Sequence, residues 1–218
     1  MANTFDLEEQ EQLDELKHFW KKHGNWITWL VIAVLASFSA WNAWQYWQNK
    51  QSVEAAGLFD ELTRAVATKQ ADRIQLSFTD LQSKYPRTTF AQQGALLAAR
   101  GHTEAGQLDK AKAALEWVTT SGEASLQSVA RLRLAALAME QQQWDAAGKW
   151  LSEGIQPEFA GLAADRQGDL HVAQAQPDKA REAYLKAYAL LSADGDYRRL
   201  VSVKLNALGV DPESKSKP

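Results

Sequence analysis

The 218-residue chain contains no cysteine. Disulfides, thiolate nucleophiles and cysteine-ligated zinc are excluded with it, and an oxidising compartment is permitted without being indicated. Signals of a β-fold are also missing, since no Asn-Gly hairpin turn occurs and β-branched clusters are sparse. There is no G-x-S-x-G, no H-E-x-x-H and no phosphate-cradling Gly-Lys loop, so hydrolytic, zinc-protease and nucleotide chemistry lack their usual motifs. Of the four histidines, His102 and His171 have no carboxylate or second histidine at helical ligand spacing. No cofactor or metal is expected, and the chain is not read as an enzyme.

An excess of basic residues is absent too. The formal charge is −3, and once the six acids and three lysines of residues 1–25 are set aside, acids and bases are equal in number. Nucleic-acid binding needs a basic stripe to neutralise phosphates. No nucleic acid partner is expected.

What the chain does have is an uncharged run, "WITWLVIAVLASFSAWNAWQYW", over residues 26–47. A helix of this length matches the roughly 30 Å hydrocarbon thickness of a bilayer. Trp20, Trp26 and Trp29 mark one end and Trp41, Trp44, Tyr46 and Trp47 the other, the placement of two interfacial aromatic belts. Thr28, Ser37 and Ser39 can bond to their own helix backbone. Ser37-Phe38-Ser39-Ala40 offers signal-peptidase-like small residues, but the run is longer than a signal core, its leader is mostly acidic, and the cut would fall inside it. Residues 26–47 are therefore expected to form an uncleaved transmembrane helix. Lys17, Lys21 and Lys22 precede the run at close range, against Lys50 and the distant Arg64 after it, which puts the amino terminus in the cytoplasm. The remainder would lie in the periplasm of a bacterial inner membrane. Small residues at four-residue spacing, Ala33 with Ser37, Ala36 with Ala40 and Ser39 with Ala43, offer a packing face to another membrane helix.

Residues 1–25 suggest a juxtamembrane helix of their own. Asp6 with Glu9 resembles a capping box, acids lead and lysines follow as the helix dipole favours. Leu13, Leu16, Phe19 and Trp20 would share a face resting on the lipid bilayer.

Residues 48–208 are rich in Ala, Leu and Gln, which predicts an all-α domain. Three stretches align: "GQLDKAKAAL", "QQWDAAGKWL" and "AQPDKAREAY". Their alanines, Ala111, Ala147 and Ala180, stand 36 and 33 residues apart, close to the about 34 residues of a tetratricopeptide helical hairpin. Small residues are needed where paired helices cross. The last copy fits best, with Gly168 on the first helix and Ala180, Tyr184 and Ala187 on the second; Ala99 and Ala135 stand where Gly168 does. The expected fold is thus a single amino-terminal transmembrane helix followed by a tetratricopeptide-like solenoid. Its helices are predicted at 49–69, 71–84, 88–101, 108–119, 125–141, 144–154, 159–173, 177–192 and 196–207, with Tyr85-Pro86 separating hairpins and 209–218 a disordered tail. By analogy with the repeat, the first helices would line a concave protein-binding face through Gln93, Leu96, Arg100, Val129, Leu132, Ala136, Asp165, Asp169 and Val172.

"LKHFWKKHGNWI", the span ending in "WNAWQYW", and the repeats "DKAKAAL" and "DKAREAYLKA" together resemble the YfgM-type ancillary subunits of the SecYEG translocon. That resemblance implies an inner-membrane protein associated with SecYEG and with a membrane-anchored periplasmic chaperone of the peptidyl-prolyl isomerase type. It implies help for newly translocated proteins toward folding or hand-over, and a link to stress signalling through the cytoplasmic side. The same architecture could instead serve as a scaffold for division or outer-membrane assembly machinery.

Overall fold

The computed structural model describes residues 7–213, with side chains from Glu11 onward. The expected Asp6–Glu9 capping box and the end of the polar tail lie outside them. All secondary structure among the described residues is helical, apart from turns. The chain divides into two units, residues 1–51 and 52–218.

The first unit lies on α1 (Leu7–Ala67). Residues 7–24 do not form a separate helix, contrary to the sequence expectation. Gly24 costs an α-helix only about 1 kcal/mol, and the Trp20 indole packs over its bare backbone. The apolar stretch is long and apolar enough to cross a membrane, and none of it is buried by the rest of the protein. The core helix of a soluble domain would instead hide its apolar residues. Two of its hydroxyls bond within the helix as expected: Thr28 Oγ1 donates to the Gly24 carbonyl at 2.8 Å and Ser37 Oγ to that of Ala33 at 2.7 Å.

In the second unit the end of α1 is followed by α2 (Ala71–Lys84), α3 (Thr89–Glu104), α4 (Leu108–Ser121), α5 (Ala124–Glu140) and α6 (Trp144–Ser152). After a 3-10 turn (Pro157–Phe159) come α7 (Ala160–Ala173), α8 (Pro177–Leu190) and α9 (Asp196–Ala207). Helix α2 stops one residue before Tyr85-Pro86, and Thr88 caps α3 by accepting from the Ala91 N–H.

One turn recurs four times. Gln70, Gln107, Gln143 and Gln176 each donate a backbone N–H to the carbonyl five residues earlier, of Ala65, His102, Ala138 and His171, at 2.8–2.9 Å. Before each glutamine stands a left-handed residue: Lys69, Gly106, Gln142 and Ala175, with φ between 54° and 71°. This helix-ending motif satisfies carbonyls that the helix leaves bare. It defines four hairpins, α1/α2, α3/α4, α5/α6 and α7/α8, where sequence alignment found three. Gly209 (φ 78°) and a Val210 N–H bond to Leu205 end α9 in the same way.

Only glycine tolerates a left-handed backbone freely, and only one of the four hairpin turns uses it. Ala175→Gly should therefore raise the stability of the repeat domain by about 1 kcal/mol, after allowing for the larger entropy of the unfolded glycine chain. The measurement is a higher urea midpoint at unchanged slope.

The core of this unit is built of small residues at the crossings. Ala111, Ala147 and Ala180, the three alanines of the aligned repeats, are all fully buried, as is Ala187. Ala99 and Ala135 are buried with them.

Candidate protein-binding face

The first helix of each hairpin is the end of α1, then α3, α5 and α7. Of the nine residues expected to line a concave binding face on these helices, four are exposed: Gln93 and Arg100 on α3, Ala136 on α5 and Val172 on α7. Val129 and Leu132 are half-buried against the core. Leu96 is buried and belongs to the interior.

Asp165 and Asp169 are the substantive correction. Asp165 is fully buried. Lys204 of α9 reaches in between the two carboxylates, with Nζ 2.7 Å from Oδ1 of each. The Tyr197 hydroxyl donates to Asp165 Oδ2 at 2.6 Å and the Tyr184 hydroxyl to Asp169 Oδ1 at 2.7 Å. Arg166 lies 3.3 Å from the other Asp169 oxygen. Burial, followed by the Asp165 hydrogen bond, pushes the Tyr197 phenol up to about 12, and the same two causes, with Asp169 as acceptor, raise that of Tyr184 further. A buried carboxylate needs such partners because its charge has lost water. These aspartates dock α9 onto α7 and α8. Their repeat spacing fits an outer face equally well, and the lysine that claims them lies 35 and 39 residues away, beyond any local pattern.

Gly168 is where α7 meets α8. A Cβ added there would stand 2.3 Å from Tyr184 Cε1, so the expected pairing of Gly168 with Tyr184 is a direct contact. His102 is likewise structural: it is fully buried, and its Nδ1 lies 2.9 Å from Gln107 Oε1, an acceptor only. Burial lowers its pKa. Among the described residues no group of three or more potential metal ligands occurs.

Sequence reasoning passed over Arg133 of α5. Its Nη1 donates to the Leu96 carbonyl of α3 at 2.9 Å, which fixes the guanidinium on the face between the two helices. Arg100, Arg133, Arg166 and Arg199 stand 33 residues apart in every interval, a spacing that could have revealed it.

The span presents Ala33, Ala36, Ser37, Ala40 and Ala43, all exposed within this chain.

Residues 17–210 match the family model described as a tetratricopeptide repeat-like domain. A Neisseria gonorrhoeae protein named ancillary SecYEG translocon subunit is 31% identical over 204 residues, covering 93% of this chain and 98% of that one. A Haemophilus influenzae protein of the same name is 28% identical over 208 residues, covering 94% and 100%. No solved structure matches. Both relatives align through the apolar helix as well as the repeats, and their coverage leaves little of any chain unmatched; the chain belongs to the tetratricopeptide repeat-like family of YfgM-type proteins.

Proposed function

We propose that this protein is an ancillary inner-membrane subunit of the SecYEG translocon, acting as a binding scaffold and not as an enzyme. The observation that carries the reading is the end-to-end similarity to two proteins named for that role, joined to one helix apolar enough to cross a membrane. The amino-terminal residues lie in the cytoplasm and the helical hairpins in the periplasm, where Lys17, Lys21 and Lys22 on the inner flank set the orientation. The small residues Ala33, Ala36, Ala40 and Ala43 let a helix of the translocon approach closely. The first-helix face, through exposed Gln93, Arg100, Ala136 and Val172, contacts a membrane-anchored chaperone of the peptidyl-prolyl isomerase type or an emerging chain, and aids folding or hand-over.

Photo-crosslinkers at Gln93, Ala136 and Val172 should capture that chaperone or a nascent secretory chain, and purification in mild detergent should return translocon subunits. Recovery of division or outer-membrane assembly factors in their place would transfer the scaffold to other envelope machinery. Protease added to intact spheroplasts should digest the carboxyl-terminal bulk; protection there inverts the topology.

A further inference from the structure

The four arginines at 33-residue spacing fall on α3, α5, α7 and α9, but their charges are answered differently. Arg100 pairs with Glu104 at 2.8 Å, Arg166 with Asp169 at 3.3 Å, and Arg199 with Asp196, each on its own helix. Arg133 has no carboxylate partner among the described residues; its helix carries no acid from Ala124 to Met139, and Glu140 comes only at its end. Arg133 is exposed, and the Leu96 carbonyl of the neighbouring helix holds one end of its guanidinium. Arg100 lies one helical turn beyond Leu96 on α3. Two cations therefore sit together at the α3–α5 seam.

The surroundings narrow what could answer them. Gln93 is exposed, Leu97, Val129 and Leu132 are half-buried apolar neighbours on the same two helices, and Ala136 is open to solvent. Burial, and then the like charge of Arg100, hold the Arg133 pKa below the ordinary guanidinium value. An unpaired, partly desolvated guanidinium beside a like charge gains more from an incoming carboxylate than a fully hydrated one does. Glu104 is a weak competitor, since its pair with Arg100 is solvent-exposed.

We propose that the seam between α3 and α5 takes an acidic protein segment, its carboxylates meeting Arg133 and Arg100 while its alternate aliphatic side chains lie on Val129 and Leu132. The inference rests on the reading of the first-helix face as a protein-binding surface and adds the chemistry of what it binds. Arg133, held at one end by the Leu96 carbonyl, supplies a planar fork suited to a carboxylate; Arg100, exposed as well, supplies the second charge.

The test uses the full chain in zwitterionic nanodiscs and two labelled peptides of about 12 residues, one alternating glutamate with leucine, the other lysine with leucine, read by fluorescence anisotropy. The acidic peptide should bind roughly tenfold tighter than its basic counterpart at low salt, equivalent to one charge-assisted contact. Arg133→Gln and Arg100→Gln should each remove most of that preference, and added salt should shrink it. Arg100 is exposed, so its variant leaves the fold intact, and a urea melt verifies the same for Arg133→Gln. If both peptides bind equally, or the preference survives both substitutions, the acidic partner is ruled out while the binding face stands. If neither peptide binds and the crosslinkers at Gln93 and Val172 capture nothing, the face itself is ruled out.

Discussion

Lys204→Met should destabilise the repeat domain by roughly 3 kcal/mol, because removing one member of a buried ion pair leaves the other charge uncompensated. Lys204 bridges Asp165 and Asp169 at 2.7 Å, and Asp165 has no exposure to water. Without the ammonium, Asp165 keeps a single donor, the Tyr197 hydroxyl, while Asp169 keeps Tyr184 and Arg166. The penalty therefore concentrates on Asp165. A further reading separates this cause from simple loss of packing. The double variant Asp165→Asn, Lys204→Met should recover much of the loss, since the amide oxygen still accepts from Tyr197 and the stranded charge is gone. Urea unfolding of the single and double variants measures the recovery. A deficit unrelieved by Asp165→Asn would assign Lys204 a packing role alone.

The helical frame was written locally and the docking of its last helix was not. Alanine and glutamine richness, the Asp-x-Ala recurrence and Tyr85-Pro86 act within one turn or one hairpin, and α2 and α7 begin or end within a residue or two of the expected positions. The first hairpin escaped alignment because Ile74 stands where Ala111, Ala147 and Ala180 stand in the others. The neighbouring helix compensates for that bulk: a Cβ on Gly101 would meet Ile74 Cδ1 at 2.7 Å, and one on Gly94 would meet Leu81 at 2.8 Å. Volume lost on α3 admits volume gained on α1 and α2, a trade that no window on one segment reveals. Asp165 and Asp169 illustrate the other blind spot. A repeat template assigns them to the outer face, but whether an acid at such a site meets water or a cation depends on Lys204, supplied by α9, outside the repeats the template aligned. Of the expected binding residues, the polar and small ones, Gln93, Arg100 and Ala136, keep their exposure, while Leu96 follows its hydrophobicity inward. Arg133 was missed because attention to net charge hides a local imbalance: the downstream chain is neutral, yet α5 lacks an acid over most of its length.

Gly168→Val should cost 4 kcal/mol or more, roughly, a severe case of overpacking. Even the Cβ of alanine would fall 2.3 Å from Tyr184 Cε1 and 2.4 Å from Cδ1, far inside van der Waals contact. Tyr184 cannot swing aside, because its ring is buried and its hydroxyl is bonded to Asp169. The helices must separate or the ring must abandon its site, and either motion disturbs Asp169 and with it the Lys204 bridge that holds α9. Gly57 provides the control. Nothing lies within 4 Å of a Cβ added there, so Gly57→Ala should stabilise by about 0.5–1 kcal/mol through helix propensity alone. A double-mutant cycle decides whether the clash with Tyr184 is the cause: Gly168→Ala combined with Tyr184→Leu should cost less than the sum of the two single changes, the missing free energy being the contact between them. Strict additivity would place the burden on the backbone of α7. The same cycle bears on function, since a gap between α7 and α8 shifts Val172 and Arg166 on the first-helix face, so crosslinking at Val172 should fail in Gly168→Val wherever the variant still folds, while crosslinking at Gln93, two hairpins away, persists.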